Sequence, residues 1–434
     1  MRYEVTRSRY DLNYDVVVVG AGSAGIAAAA SASRAGSKTL LIERYGFAGG
    51  AATTSSVLAY CGLYANSEEA RPVVAGIATE ILDELRKLSV PANPVRLKTT
   101  GNWIVPLNPE ALKIALDRSV MNAGVAVFFH TVVSGVEVFE GRVRSVDVSG
   151  HFGRIRIAAH AFVDASGEGD LCFSADRGLF APQTKVQPAS FPIRLGGVRS
   201  DWALDRSLFK TAIAKYNAAS PAIAARENGG VQLRIPGSCE IWWMALDLET
   251  DPCDVGDFSL AEMKSRECGW HLVECLKETD STTFKDCYVA STGPQIGIRE
   301  SRRPRTLAKV AARDILEAFV PDDTVALGGW PMEIHHAPGV QEYIPVGGAG
   351  YFGIPIGAIR TPIENLLVAG RLTGADDQAY GSIRVMGTAF ATGQAAGVAA
   401  AMLRPETTNI DFANLRMQLA SQGALVDLDE LRGA

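Results

Sequence analysis

An α/β fold is predicted by three features of the amino-acid sequence. The first is the run VVVVGAGSAG at 16–25, four β-branched residues followed by glycines at positions 20, 22 and 25. The second is the alanine-rich stretch from Ile26 to Ala35, which reads as a buried helix. The third is another apolar run, TLLIE, closed by Glu43. Strand, glycine turn, helix and acid-ended strand together make one βαβ unit of a Rossmann-like parallel sheet.

Each part of that unit has a chemical reason. Gly20 permits a tight turn, Gly22 lets the backbone approach a pyrophosphate, and Gly25 lets helix and strand pack closely. Ser23 and Ala24 fill the intervening positions at the helix start, where unpaired N–H groups and a partial positive charge favour an anion. Glu43, about 20 residues on, is placed to accept hydrogen bonds from ribose hydroxyls, with Arg44 beside it. The unit binds an adenine dinucleotide; taken alone it fits NAD or FAD.

Composition narrows the class. At 434 residues the chain is longer than one ordinary core, which predicts two interleaved domains. Hydrophobic residues make up 47% and charged residues 21%, as in a well-buried globule. The net charge of −6, with scattered basic residues, argues against nucleic acid or an anionic membrane surface as partner. The uncharged segment 16–33 holds three glycines and three serines and is too weakly hydrophobic for a membrane span. Seven cysteines without a CxxC pair argue against a disulfide framework, an iron–sulfur cluster or a zinc site. No metal is expected, and a reducing, cytoplasmic setting is.

Along the chain, the segment after Glu43 does not proceed to another strand but becomes small and loop-like, RYGFAGGAATTSS. Helices are predicted at 77–88 and from Pro109 to Asn122, the latter capped by Asn108 with proline in the first turn. Residues 125–150 alternate with period two around a turn at Glu140-Gly141, predicting antiparallel strands. Another strand, HAFVDAS, follows at 160–166. The stretch 182–350 holds five of the six tryptophans and most of the cysteines, as a separate substrate-covering domain would. A buried strand returns at NLLVAGR from Asn365, then a glycine-rich loop, a long helix from Thr388 to Leu403, and a last short helix after Asp411. The expected architecture is a discontinuous cofactor domain, 1–181 and 356–434, with a β-meander insertion, and an α+β substrate domain, 182–355.

Five blocks now stand together: GAGSAG with Glu43, GFAGGAATTS, VDASGEGDL, GIRESRR, and the long run NLLVAGRLTGADDQAYGSIRVMGTAFATGQAAG. Together they closely resemble the FAD-dependent oxidoreductase family of the glutathione-reductase-like superfold. The relevant branch pairs an ERxGFxGG segment with GIRExRR and GSIRVMxT segments. The resemblance implies FAD as cofactor. It places Gly49, Gly50 and Ala51 against the pyrophosphate or ribityl chain and Val132 at a backbone contact to adenine. It also places Ala165, Gly167 and Asp170 beside the dinucleotide, Asp170 either bonding ribose or capping the next helix. In the late block Gly370, Arg371, Ser382, Val385 and Met386 fall near the flavin. Two departures stand out. The family often shows a histidine–glutamate pair where this chain has Asp376-Asp377, and proline where it has Gly387.

The implied function is oxidation of a small polar organic molecule by hydride transfer to flavin N5, the reduced flavin being reoxidised by oxygen or another acceptor. A flavin monooxygenase or an electron-transfer flavoprotein subunit is the alternative. Charge developing at the flavin pyrimidine edge calls for a cation, and Arg384 or the backbone at 385–387 is the candidate. If GIRESRR forms a strand, Arg299 and Arg303 share one face with Arg302 opposite. One face, with Arg299 as the candidate, then binds a substrate carboxylate while the other pairs with Glu300; the alternative is a structural arginine–carboxylate network holding the two domains together. His335 is the first candidate for general base, a role the resemblance supports through Glu333-Ile334-His335; Asp376 or Asp377 is its rival, with Tyr380 as hydroxyl donor. Cys61 is either near the flavin ring or a buried small hydrophobe, and Trp242, Trp243 and Trp330 either line a pocket or pack a core. A small molecule is the partner expected; self-association into a homo-oligomer is left open.

Overall fold

The computed structural model describes residues 11–181, 185–199, 203–407 and 409–428. Pro182, where the expected second domain begins, lies outside them. The main sheet has seven strands, in spatial order Ala126–Phe128, Thr39–Ile42, Asp11–Val19, Gly153–Asp164, Arg142–Gly150 and Val132–Phe139, with Leu366–Val368 paired to the C-terminal half of Gly153–Asp164. The first strand pairs parallel with both neighbours, Val16 to Val19 running beside Thr39 to Ile42 on one side and Ala161 to Asp164 on the other. With both edges occupied and both faces covered, Val16, Val17 and Val18 are fully buried. That explains the unbroken apolar run, each valine contributing about 1.5–3 kcal/mol.

The three strands from Val132 to Asp164 form the antiparallel meander that the alternating sequence predicts. Gly153–Asp164 is longer than HAFVDAS suggests because it serves three partners. On one edge its first half closes the meander and its second half takes Leu366–Val368, while the other edge runs parallel to Asp11–Val19 from Arg156 to Asp164. The predicted helices appear as Ile77–Lys87, Pro109–Asn122, Met386–Met402 and Phe412–Ser421. The Asn108 side chain accepts from the Glu110 and Ala111 N–H groups, as a cap should.

The first helix, Ser23–Arg34, packs along Met386–Met402. Glycine is required at the crossing, since a Cβ on Gly393 would collide with the Ala24 carbonyl, and one on Gly397 with the Ala28 carbonyl. Helix-spaced glycines on one partner and alanines on the other bring two backbones together and hold both helices on the sheet.

A second sheet, of strands Val231–Arg234, Ile241–Leu248, Ala189–Gly196 and Tyr288–Thr292, is antiparallel. Helices Arg206–Ala218 and Val255–Thr279 back it and share an apolar core with it, around Phe209, Trp243 and Phe284. Two short ribbons follow, Thr324–Gly328 with Phe352–Pro355 and Met332–Ala337 with Val340–Ile344. Val325 and Leu327 of the first ribbon join the core of the main sheet. GIRESRR is not a strand: only Gly297 makes a bridge, to Ser190, and each charged side chain after it is drawn to a different partner. Among the described residues no helix is long and apolar enough to cross a membrane, and no group of three His, Cys, Asp or Glu side chains is arranged to hold a metal.

Candidate active site

The C-terminal ends of the parallel strands open onto a cleft of about 310 Å³. Gly20, Gly22, Ser23 and Ala24 line it from the first turn, Glu43 and Arg44 from the second strand, and Gly50 and Ala51 from the loop. Val132, Ala165, Gly167 and Asp170 line it from the meander side, and Gly370, Arg371, Arg384 and Met386 from the late block. Four widely separated segments therefore converge on one groove.

The backbone conformations account for the glycines. Gly20 has φ +95°, and a Cβ there would lie 2.5 Å from the Ala165 carbonyl oxygen. Gly50 has φ +52°, and its Cβ would meet the Gly22 Cα at 2.8 Å, so the loop can close onto the first turn only without side chains. The Gly49 N–H bonds the Ala21 carbonyl at 2.8 Å, fastening that contact from behind. The first helix begins at Gly22 with no side-chain cap and no acid in its first turn, leaving its N–H groups to an anion. The Glu43 carboxylate accepts from the Ala21 N–H at 2.7 Å and the Tyr45 N–H at 3.0 Å. Burial raises its pKa against those hydrogen bonds, and they orient it toward the cleft. The donor set fits FAD: a helix terminus and glycine backbone for the pyrophosphate, and a buried, backbone-oriented carboxylate for ribose.

Some expected cofactor residues stand behind the cleft rather than in it. Gly25 lies under the first turn, where a Cβ would collide with the Gly20 carbonyl. Ser382 is fully buried and donates its hydroxyl to the Trp330 carbonyl. Asp170 does not cap its helix; the cap position is Gly169, and the Asp170 carboxylate takes Arg302 at 2.6 Å and Arg44 at 3.6 Å. Two charged cleft residues lie outside the expected cofactor set: Glu168, and Arg302 of GIRESRR. Glu168 bridges Arg44 at 3.0 Å and Arg371. The signal for Glu168 was an acid set among glycines in VDASGEGDL.

Behind the cleft lies a smaller chamber of about 150 Å³. It shares Ala51, Ile298, Arg371, Arg384 and Met386 with the cleft, so the two meet at the start of the helix Met386–Met402. Val385, the extended residue capping that helix, faces the chamber rather than the cleft. Cys61, Trp242, Trp330, Arg299, Glu333 and Tyr343 are among the residues of its walls. Gly387, the departure from the family proline, is forced by the nearby backbone, because any Cβ there would collide with the Cys61 carbonyl.

Glu333 organises the polar side of the chamber. Its carboxylate takes hydrogen bonds from Trp330 Nε1 and the Tyr343 hydroxyl, each at 3.0 Å, and pairs with His335 Nε2 at 3.0 Å. Arg384 Nη2 bonds the Glu333 carbonyl at 3.1 Å and lies 3.8 Å from the carboxylate. Burial alone would raise Glu333, but the His335 hydrogen bond and the Arg384 charge prevail and hold it well below the usual carboxylate range. Burial and the Arg299 charge lower His335 to about 4, so its ring is neutral at pH 7. Desolvation pushes the thiol of the half-buried Cys61 up, leaving it protonated rather than a thiolate at the chamber wall.

The remaining candidates sort by position. Arg299 lines the chamber, yet its partners are Asp247 at 2.8 Å and the Pro188 carbonyl, not Glu300. Glu300 pairs instead with Arg303 and accepts from the Gln187 N–H. His335 lines a separate outer cavity, with Glu333 between it and the chamber. Asp377 lines that same outer cavity, with its side chain 91% exposed and bonded to Arg303. Asp376 caps the following turn through the Gln378 and Ala379 N–H groups. Tyr380 is buried and bonds the Arg299 carbonyl at 3.1 Å. Trp243 packs in the core of the second sheet, whereas Trp242 and Trp330 line the chamber. Sequence reasoning missed Tyr343 and the Arg226–Asp247 pair, which sit in motif-poor sequence with no local signal.

Comparison with known proteins extends these observations. The sequence model of the FAD dependent oxidoreductase family matches residues 15–419. No curated protein matches the chain by sequence. Among solved structures, the anhydrotetracycline hydroxylase OxyS of Streptomyces rimosus is similar at 13% identity and TM-score 0.45, over 90% of this chain and 62% of its own, so this chain spans under two thirds of its length. A geranylgeranyl bacteriochlorophyll reductase-like protein of Thermoplasma acidophilum is similar at 15% identity and TM-score 0.46, over 95% and 84%. The p-nitrophenol 4-monooxygenase PnpA of Pseudomonas putida is similar at 12% identity and TM-score 0.42, over 95% and 80%.

Proposed function

The chain belongs to the FAD dependent oxidoreductase family, and from that premise we propose that it oxidises a small polar organic substrate held in the inner chamber by hydride transfer to FAD bound along the cleft. The observation that carries this reading is the junction of the two cavities. The chamber meets the cleft at Ala51, Arg371, Arg384 and Met386, and its far wall is a carboxylate held in a built hydrogen-bond network.

Bound FAD supplies the hydride acceptor, and the protein supplies everything else. Trp242, Trp330, Ile104 and Met244 give the chamber a mostly apolar wall that excludes water and orients the substrate. Glu333, rather than the His335 that the sequence predicts, is the proton acceptor that faces the chamber. A carboxylate this acidic takes a proton only as the substrate hydroxyl or amine gains acidity with departure of the hydride. Tyr343 does not act as base, because desolvation of its hydroxyl and the neighbouring Glu333 push it well above the ordinary range. It serves as a donor that fixes Glu333. Arg384, at the start of the helix Met386–Met402, adds a fixed positive charge to the positive end of that helix where cleft and chamber meet.

Residues 182–355 act in this reading as the substrate domain, contributing Arg299, Trp242, Glu333 and Tyr343 to the chamber. The test is an anaerobic screen of a metabolite panel against the FAD-loaded protein. Bleaching of the flavin by one metabolite without nicotinamide supports the reading. Rapid reduction by NADH alone, followed by oxygen insertion into a substrate, would overturn it in favour of a monooxygenase.

A further inference from the structure

The inner chamber carries more positive charge than its own carboxylates offset. Arg299, Arg371 and Arg384 line it, against Glu333 alone among carboxylates. Glu168 matches Arg371, and Glu333 stands 3.8 Å from Arg384. Arg299 has no carboxylate of its own. Its partner Asp247 is already gripped by Arg226 through two hydrogen bonds, at 2.6 and 2.7 Å. The Gly339 N–H takes a fourth position on the same carboxylate at 3.2 Å. Two buried guanidinium groups therefore share one saturated negative charge, and His335, neutral at pH 7, does not change the sum.

A buried charge without a counter-ion is costly, and the usual remedy is a partner of opposite sign. On the cleft side Arg44, Arg302 and Arg371 are matched in number by Glu43, Glu168 and Asp170, along the groove that suits the dinucleotide phosphates. Among the described residues the chamber's surplus has no carboxylate partner. Arg384 adds a second sign of a missing acceptor: its Nε is buried and makes no hydrogen bond. Apart from Ser190 the rest of the wall is apolar or aromatic, and the volume is small.

We propose that the chamber binds a small organic anion, a monocarboxylate with an apolar or aromatic body, its carboxylate seated between Arg299 and Arg384 and its body against Trp242, Trp330 and Ile104. This rests on the reading of the chamber as the substrate side of the cofactor. It names the substrate class that the reading leaves open.

Benzoate and its neutral isostere benzamide are the probes, titrated into the FAD-loaded full chain and followed by the visible absorption of the flavin and by calorimetry. Benzoate is expected to perturb the spectrum saturably and to bind at least about tenfold more tightly than benzamide. Arg384→Gln weakens benzoate by a similar factor and leaves benzamide unchanged, while Arg384→Lys, which keeps the charge, retains the preference for the anion. FAD released on denaturation reports whether each variant still holds its cofactor, and if Arg384→Gln does not, the two probes on the unmodified protein decide alone. Equal binding of the two probes, or binding of neither, overturns the proposal and assigns the surplus charge to the cofactor itself. Tight benzoate binding with no metabolite bleaching the flavin would sink the proposed oxidation yet leave the anion site standing. Bleaching by a neutral substrate, with benzoate inert, would do the reverse.

Discussion

His335 Nε2 and Glu333 Oε1 lie 3.0 Å apart across the wall between two cavities, Glu333 facing the inner chamber and His335 the outer one. The residues are two apart on the strand Met332–Ala337 and so share a face. The bond fixes Glu333 and leaves His335 Nδ1 buried without a partner. A neutral ring held this way makes stability depend on pH. In the folded chain His335 titrates near 4, while in the unfolded chain it titrates near the ordinary value of 6.5. As pH falls below 6.5 the unfolded state takes up the proton first, and stability is lost down to about pH 4. Glu333, depressed in the folded chain, adds a loss of the same sign at still lower pH, below its unfolded value of 4.5. Between pH 7.5 and 5 the His335 contribution amounts to about 2 kcal/mol. Urea melts at the two pH values should show it in the unmodified chain and lack it in His335→Asn. An identical pH dependence in both would mean the ring is not held neutral.

Asp247 and Asp377 make a sharp contrast. Asp247 is fully buried between Arg226 and Arg299, and Asp247→Asn leaves two guanidinium groups without a full counter-charge. The expected loss is about 3–5 kcal/mol in a denaturant melt. Asp377 is exposed and lines only the outer cavity, so Asp377→Asn should change stability by less than about 0.5 kcal/mol. It should also leave flavin reduction rates unaltered, and slowed reduction in that variant would restore Asp377 as a base.

Glu43 is tied by two backbone N–H groups and has oxygen lone pairs left for ribose. Removing a charged acceptor costs about 1.5–3 kcal/mol, so Glu43→Ala should weaken FAD binding roughly ten- to hundredfold. Fluorescence of released flavin on dilution measures it directly, and unchanged retention would remove Glu43 from the site.

Gly393 has no room for a side chain against Ala24. Gly393→Ala should cost about 1–3 kcal/mol through separation of the two helices, and Gly393→Leu more. Calorimetric melts of the two variants, with and without FAD, provide the check. If the alanine variant melts with the parent, the helices do not pack as closely as described.

How much of this was legible in sequence depends on whether the signal is local. The valine strand, the glycine turn and Asn108 as a cap were readable because each depends on near neighbours in the chain. Helix starts slipped by two or three residues: Met386–Met402 begins before Thr388 because Val385 is extended and ends the preceding turn, and Ser23–Arg34 takes in Gly25. The proton acceptor was harder to read. The sequence directs attention to His335, the rarer residue type, but on a strand Glu333 shares its face, and only the fold decides which of the two reaches the chamber. Asp247 and Arg226 lie 21 residues apart in motif-poor sequence. Their pairing arises from the turn between antiparallel strands, which composition and periodicity do not register. Arg299 was found but its partner was not, because the carboxylate beside it in sequence, Glu300, is engaged by Arg303.

The packing of Ser23–Arg34 against Met386–Met402 sets an order of events during synthesis. The glycine turn leaves the ribosome early, but the helix that covers it and the arginines that complete its groove emerge more than 300 residues later. Until then the first helix exposes its alanine face, and the nucleotide has only part of its binding surface. Stable loading of the cofactor is therefore a late event, coupled to closure of a long-range contact, and such contacts form slowly. A chain released before residue 386 would keep the whole N-terminal fingerprint and still fail to hold a flavin.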